Sequence, residues 1–217
     1  MTGQNTAPIH LSLVVPCFNE EAAIPAFYGD AVKTLSGLPP EQGYEFIFVD
    51  DGSKDKTLEV LRNLAAQDNR VHYISFSRNF GKEAAILAGL NAAAGAYIAT
   101  LDADGQDPPA LIPQMLEAVC SGKADCAGTR RVTRKGEPPV RSFFARRFYA
   151  LMEKITDIEI VDGARDFRLF NRAYLEAVLS LTERGRFSKG IFPWVGFSAK
   201  WFEYENIERK AGKTKWS

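Results

Sequence analysis

The sequence predicts an α/β protein, with a mostly parallel sheet flanked by helices. Short β-branched runs alternate with helical patterns through the first 130 residues, the signature of strand–helix–strand units. The run YEFIFVD (Tyr44 to Asp50) is apolar without alternation, as a strand buried on both faces should be. The 217 residues, 46% hydrophobic and 25% charged, supply one sizeable core and exclude disordered and fibrous classes.

The first strand is LSLVVP (Leu11 to Pro16), and helical spacing follows from Glu20 to Leu35. A loop with Gly37, Pro39, Pro40 and Gly43 leads into the strand Tyr44 to Asp50. Asp50-Asp51-Gly52-Ser53 reads as a turn, with Asp51 or Asp55 capping the next helix. Helix, strand and helix are expected at about Lys56 to Gln67, Val71 to Phe76 and Lys82 to Ala94. AYIATL (Ala96 to Leu101) is a strand. Asp107 and Pro108 are the expected N-cap and first turn of a helix carrying Leu111, Ile112, Met115, Leu116 and Val119. DCAGTR (Asp125 to Arg130) closes this series as a strand.

Beyond Arg130 come a basic loop, RVTRKGEPP, and an amphipathic stretch from Phe143 to Ile155 accompanied by Arg141, Arg146 and Arg147. Such a stretch buries one side in the protein or lies on a lipid surface. A strand at DFRLF, a helix near Tyr174 to Leu181, an aromatic loop around FPWVGF and a strand at KWFEYE complete the chain. The uncharged stretch Ala84 to Leu101 is broken by Gly89, Asn91 and Gly95, and reads as helix, turn and strand rather than as a membrane span.

Only two histidines occur, His10 and His72, so multi-histidine zinc sites and a Ser-His-Asp triad have almost nothing to be built from. The chemistry must run on carboxylates and cations. Cys17, Cys120 and Cys126 are odd in number and lack C-x-x-C spacing; they are expected to be free thiols that serve packing in a reducing compartment. No basic region followed by an apolar run marks the N-terminus as a signal peptide. The zero net charge hides an asymmetry. Residues 1–128 carry 8 basic and 16 acidic residues, whereas residues 129–217 carry 19 and 11. The second part is expected to meet phosphates or a membrane face, with no nucleic acid as partner.

Ligands of open α/β sheets bind at the carboxyl ends of the strands. Here those ends are acidic: PCFNEE, VDDGSKDKT and LDADGQDPP. Three such loops repel one another unless a cation or hydrogen-bond donors sit among them. Asp102-Ala103-Asp104 is the leading candidate, because alternate residues at a strand end direct two carboxylates toward one hard cation and the diphosphate it carries. Mg²⁺ or Mn²⁺ suits such oxygen ligands. Asp50, at a strand tip, is suited to accept hydrogen bonds from a base's ring N–H and amino groups. Arg165-Asp166-Phe167-Arg168 is a further polar cluster, open to a structural ion pair or a functional role. Gly212-Lys213-Thr214 mimics the end of a P-loop, but Ile207 stands where the first glycine belongs. The late aromatics Phe187, Phe192, Trp194, Phe197, Trp201 and Trp216 are mostly core residues by expectation.

Taken in order, PCFNEE, VDDGSKDKT, LDADGQDPP, GTR, DFRLF and RFSKGIFPWVGF resemble the inverting glycosyltransferases of family 2. More narrowly they resemble the polyprenyl-phosphate glycosyltransferases, the group that includes dolichyl-phosphate mannose synthase and the bactoprenol glucosyltransferases. The resemblance runs from about Ile9 to Ser217. It implies a GT-A fold, a Rossmann-like sheet in one catalytic domain over 1–217. Residues of about 9–130 would bind nucleotide-sugar and metal, and those of about 131–217 would bind the acceptor beside the membrane.

Carried onto this chain, the resemblance implies that Pro16, Phe18 and Glu20 contact base and ribose and that Asp50 reads the base. Asp102, Ala103, Asp104 and Gln106 would hold metal, diphosphate and sugar, with Asp102 and Asp104 as the metal ligands. Arg130 would face the acceptor phosphate. Arg209 and Lys215, in RKAGKTKW, would bind phosphates as a closing flap. The family usually continues into transmembrane helices, absent from this chain, so either a truncated portion of a protein anchored at the cytoplasmic face or peripheral docking through the amphipathic stretch is implied, and truncation is the expectation.

The implied reaction moves a hexose from a UDP-glucose-like or GDP-mannose-like donor to a polyprenyl phosphate, with Asp104, Asp166 and Arg130 as catalytic residues. The alternative acceptor is a saccharide hydroxyl. A lipid monophosphate has a second pKa of about 6 and is largely ionised at neutral pH. Asp166 is therefore expected to orient the acceptor or an adjacent arginine, and to be an essential base only for a hydroxyl acceptor. An oligomer is compatible with this reading.

Overall fold

The computed structural model describes residues 9–39, 42–131, 161, 163–183 and 186–205. In chain order the elements are β1 (Ile9–Cys17), α1 (Ile24–Leu35), β2 (Gly43–Asp50), α2 (Thr57–Gln67), β3 (Val71–Ser75), α3 (Lys82–Ala92) and β4 (Tyr97–Thr100). A 3₁₀ turn (Pro109–Leu111) runs into α4 (Ile112–Cys120), followed by β5 (Cys126–Arg131), β6 (Ala164–Asn171), α5 (Arg172–Ser180), α6 (Ser188–Trp194) and β7 (Ala199–Tyr204). The strands form one seven-stranded sheet in the order β3-β2-β1-β4-β6-β5-β7. β6 runs antiparallel to its neighbours β4 and β5, and the other pairings are parallel.

The two-residue period of the strands sorts their side chains onto two cores. Leu11, Leu13, Val15, Phe46, Phe48, Ala99, Phe167 and Leu169 pack under α1, α2 and α4, against Ile24, Phe27, Leu61, Met115 and Leu116. Val14, Ile47, Val49, Ile98 and Phe170 pack on the other face under α3, α5 and α6, against Ile86, Leu90, Tyr174, Leu175 and Phe192. Helices on both faces of a mostly parallel sheet are what the continuous apolar run in β2 requires. No helix of the described residues is long and apolar enough to cross a membrane.

Four expectations are corrected. α1 begins at Ile24 rather than Glu20, because Asn19 takes a left-handed conformation (φ 55°) and residues 19–21 are tied to the loop after β2. Asp107 does not cap α4; no side chain caps either the 3₁₀ turn or α4, and its carboxylate serves another purpose. The FPWVGF segment is not all loop, since α6 extends through Trp194. Of the three free thiols, Cys17 and Cys126 are buried as expected but Cys120 is exposed. The amphipathic stretch 143–155, Arg209, Lys215, Trp216 and the P-loop mimic at 212–214 lie outside the described residues.

Candidate active site

The register brings the acidic strand ends together. Cys17 pairs with Asp50 across β1 and β2, and Thr100 of β4 pairs with Val14, so Asp102 emerges beside the end of β1. Burial, followed by the charges of Glu20, Asp50, Asp102 and Asp55, pushes the Cys17 thiol well up. These acids therefore ring the end of one central strand. Asp50 is 2% exposed, accepting from the Ser53 N–H at 3.1 Å and from the Ser75 hydroxyl at 3.1 Å.

The loops after β1 and β2 are laced to each other. The Asn19 N–H donates to Ser53 Oγ at 2.9 Å, and Asn19 Oδ1 accepts from the Lys54 N–H at 2.7 Å. Glu20, itself buried, donates its N–H to Thr57 Oγ1 at 2.7 Å. Pro16 is buried opposite Val49, and Phe18 is half-buried. Asp55 holds the start of α2 as expected, accepting from the Thr57 N–H at 3.0 Å. Asp51 does not. It is fully buried and accepts from the N–H groups of Phe80 and Gly81 at 2.6 and 2.9 Å, which anchors the start of α3.

That anchor delivers a residue whose role the motifs did not announce. Lys82, the first residue of α3, places its ammonium 2.8 Å from both carboxylate oxygens of Asp102 and 2.6 Å from Asp166 Oδ2. Asp166 thus pairs across the sheet with Lys82, not with the adjacent Arg165. The two carboxylates respond differently to the shared cation. Burial raises the Asp102 carboxyl, reinforced by Asp107 and Asp166, and Lys82 does not fully offset this. Burial acts on Asp166 too, but Lys82 first, then Lys189 and Arg165, hold its carboxyl at about 2.

A second buried cluster lies on the α4 side. Asp107, fully buried, accepts from the Tyr204 hydroxyl at 3.0 Å, from Arg165 Nε at 3.4 Å and from the Asp102 N–H at 3.2 Å. Burial and Asp107 push the Tyr204 hydroxyl up to about 12, against Arg165 and Arg131. Asp107 therefore braces the motif that precedes it by hydrogen-bonding its backbone. Asp104 is 5% exposed, and its Oδ1 accepts from the Gln106 N–H at 2.9 Å. Ala103 is 3% exposed with its methyl in the core, which leaves its backbone for any ligand. Asp104 and Asp107 also line a cleft of about 520 Å³, whose opposite wall is α1 with Ala22, Ala26 and Lys33.

Arg130 is not joined to these acids. Its guanidinium pairs with Glu203, with Nε at 3.0 Å, in a part-exposed position on β5 and β7. Strand alternation turns the next residue, Arg131, to the opposite face beside Tyr204. Arg168, 3% exposed, has its guanidinium 5.0 Å from the Phe192 ring and 5.1 Å from the Trp201 ring. Of the late aromatics Phe192 is core, whereas Phe187 and Trp194 are exposed.

Asp102 and Asp104 carry oxygen donors of the type a hard divalent ion takes. Among the described residues no three His, Cys, Asp or Glu side chains are gathered as a ligand cluster. An ion held there would complete its shell from phosphate oxygens and water.

Known proteins share this sequence and fold. Relatives include CsbB of Bacillus subtilis, 41% identical over 207 residues, covering 95% of this chain and 62% of the relative. The bactoprenol glucosyl transferase of Shigella phage SfV is 42% identical over 207 residues, covering 95% of this chain and 66% of the relative. The chain thus spans about two thirds or less of the length of these relatives. A solved mannosyltransferase from Pyrobaculum calidifontis, in complex with GDP-Man and Mn²⁺, matches with a TM-score of 0.62 over 96% of this chain and 62% of that one. At 17% identity it shows the fold alone, and the fold is GT-A. The sequence profile of glycosyl transferase family 2 matches residues 12–179. A profile match over most of the chain, laid on a GT-A sheet with its acids at the strand ends, makes the chain a member of glycosyl transferase family 2.

Proposed function

We propose that the chain is the catalytic domain of an inverting hexosyltransferase that moves a sugar from a nucleotide diphosphate donor to a polyprenyl phosphate at the cytoplasmic face of a membrane. The name of the Shigella phage relative supports a lipid phosphate acceptor. The observation that carries the choice of acceptor is the state of Asp166. Its Oδ2 is engaged by the Lys82 ammonium at 2.6 Å, and against burial Lys82, Lys189 and Arg165 lower its carboxyl, which makes it a weak proton acceptor. A saccharide hydroxyl needs its proton removed, whereas a phosphate monoester arrives with an anionic oxygen.

In this mechanism Asp50, with Pro16, Phe18 and Glu20 around it, receives the base and ribose. Asp104 together with Asp102 would hold Mg²⁺ or Mn²⁺, which supplies charge neutralisation for the departing diphosphate. Gln106 follows in the same loop and faces the sugar. Asp166 orients the acceptor, and Arg130 is available to an acceptor phosphate once it exchanges Glu203 for a stronger anion. Arg209 and Lys215 close over the phosphates as a flap. Positioning and electrostatics then carry the step without a protein base.

The test incubates the protein with a panel of radiolabelled nucleotide-sugars, Mn²⁺ and a polyprenyl phosphate. Label in the organic-solvent extract, with release of nucleoside diphosphate, is the expected result. Label transferred only to water-soluble saccharide, or release of inorganic diphosphate, overturns the proposal.

A further inference from the structure

We propose that Lys82 is a placeholder cation. It occupies Asp102 in the ligand-free protein, keeps a divalent ion from binding tightly there alone, and gives the carboxylate up when a diphosphate enters. This deepens the reading above and rests on it for the identity of the diphosphate ligand.

Three observations carry the inference. First, both oxygens of Asp102 face the Lys82 ammonium at 2.8 Å, so the pair that would grip an ion offers one carboxylate already engaged. Second, Lys82 stands at the opening position of α3, where the helix dipole disfavours a cation. The acid of that first turn, Glu83, does not compensate it, since its carboxylate accepts from the N–H and hydroxyl of Ser188. A lysine placed against its local preference is held there by the carboxylates it serves. Third, its backbone is pinned while a long stem carries its head. The Asp51 carboxylate fixes the N–H groups just before it, and a four-carbon stem carries the ammonium.

An ammonium between two carboxylates has a natural exchange partner in a metal-bound diphosphate, which brings anionic oxygens for the lysine and a divalent cation for the aspartate. Charge at the site stays balanced throughout the exchange. Ion and donor then bind synergistically, each poorly without the other.

The experiment titrates Mn²⁺ alone into metal-free protein, with bound and free ion read by electron paramagnetic resonance. Wild type, Lys82→Met, Lys82→Gln and Lys82→Arg are compared, and thermal melts select the neutral variants that fold. The neutral variants should bind Mn²⁺ about tenfold tighter or more, because Asp102 and Asp166 lose their cation. Lys82→Arg should restore the weak binding of wild type. Unchanged affinity in a folded neutral variant overturns the proposal, as does tightening in Lys82→Arg equal to that in Lys82→Met. The titration needs neither acceptor nor sugar transfer. A chain that never glycosylates a lipid phosphate therefore still reports on Lys82, and a failed titration leaves the transfer assay standing.

Discussion

Replacing Asp166 by Asn separates a positioning role from a base. In the folded chain its carboxyl sits at about 2, against an ordinary 3.8. The direction reflects a preference for the charged form, which burial opposes and the Lys82 ammonium 2.6 Å away chiefly sets. Because the folded value is depressed, this stabilisation is fully present above the unfolded value and is lost as pH falls through about 2. The stability gap between wild type and Asp166→Asn should therefore be about 1.5–3 kcal/mol at neutral pH, the scale of a charge-assisted hydrogen bond, and shrink as pH falls below about 4. It stays below the 3–5 kcal/mol expected for an orphaned buried charge, since Lys82 retains Asp102.

Transfer to a polyprenyl phosphate should fall by about 10- to 100-fold, the scale of a misplaced group. Asp104→Asn, which removes a proposed ion ligand, should cost about 10³-fold. The acid limb of kcat/KM, at about pH 6, belongs to the acceptor's second ionisation and should survive in Asp166→Asn. Disappearance of that limb, or a loss matching that of Asp104→Asn at saturating Mn²⁺, would refute the argument.

Other expectations follow from single contacts. Gly52 has φ +66°, and a Cβ there would lie 2.3 Å from the Arg78 carbonyl carbon, so Gly52→Ala should lower stability by at least about 1–3 kcal/mol in thermal melts. Asp68 is held at about 2; burial opposes this, but Arg70 and the Tyr28 hydroxyl outweigh it. Asp68→Asn should therefore cost about 2 kcal/mol in urea melts at pH 7, with the cost fading as pH falls from about 4 to 2. Tyr204→Phe removes the hydroxyl that donates to buried Asp107 and should destabilise by about 1–3 kcal/mol. It should also weaken donor binding by isothermal titration, since Asp107 braces the backbone of Asp102.

Much of this arrangement was legible beforehand. The strands appear within about two residues of expectation because their side chains must satisfy buried faces, and runs such as YEFIFVD leave little choice of register. The convergence of Asp50 and Asp102 followed from the rule that parallel strands end together. What could not be read was the pairing across chain separations of 20 and 84 residues that brings Lys82 to Asp102 and Asp166. Periodicity reports a face, not the partner beyond it. One signal was present, a cation at a helix start, and it went unweighed. The local cap signature of Asp107-Pro108 misled for the converse reason: Arg165 and Tyr204, from strands far along the chain, claimed the carboxylate first. At GTR, strand alternation sends Arg130 to Glu203 and its neighbour Arg131 to the Asp107 side, beside Tyr204.

The reversed strand β6 has a consequence for biosynthesis. It fills the slot between β4 and β5, although it is made more than thirty residues after β5 ends. Until it arrives, a nascent chain emerging from the ribosome carries β4 as a raw, apolar border and has nowhere to seat β5. Such a border invites pairing with a neighbouring chain. Insertion of the late strand covers β4, gives β5 its partner and brings Asp166 to Lys82 in the same event, so the joining of the sheet's two parts and the assembly of that ion pair are one milestone of folding.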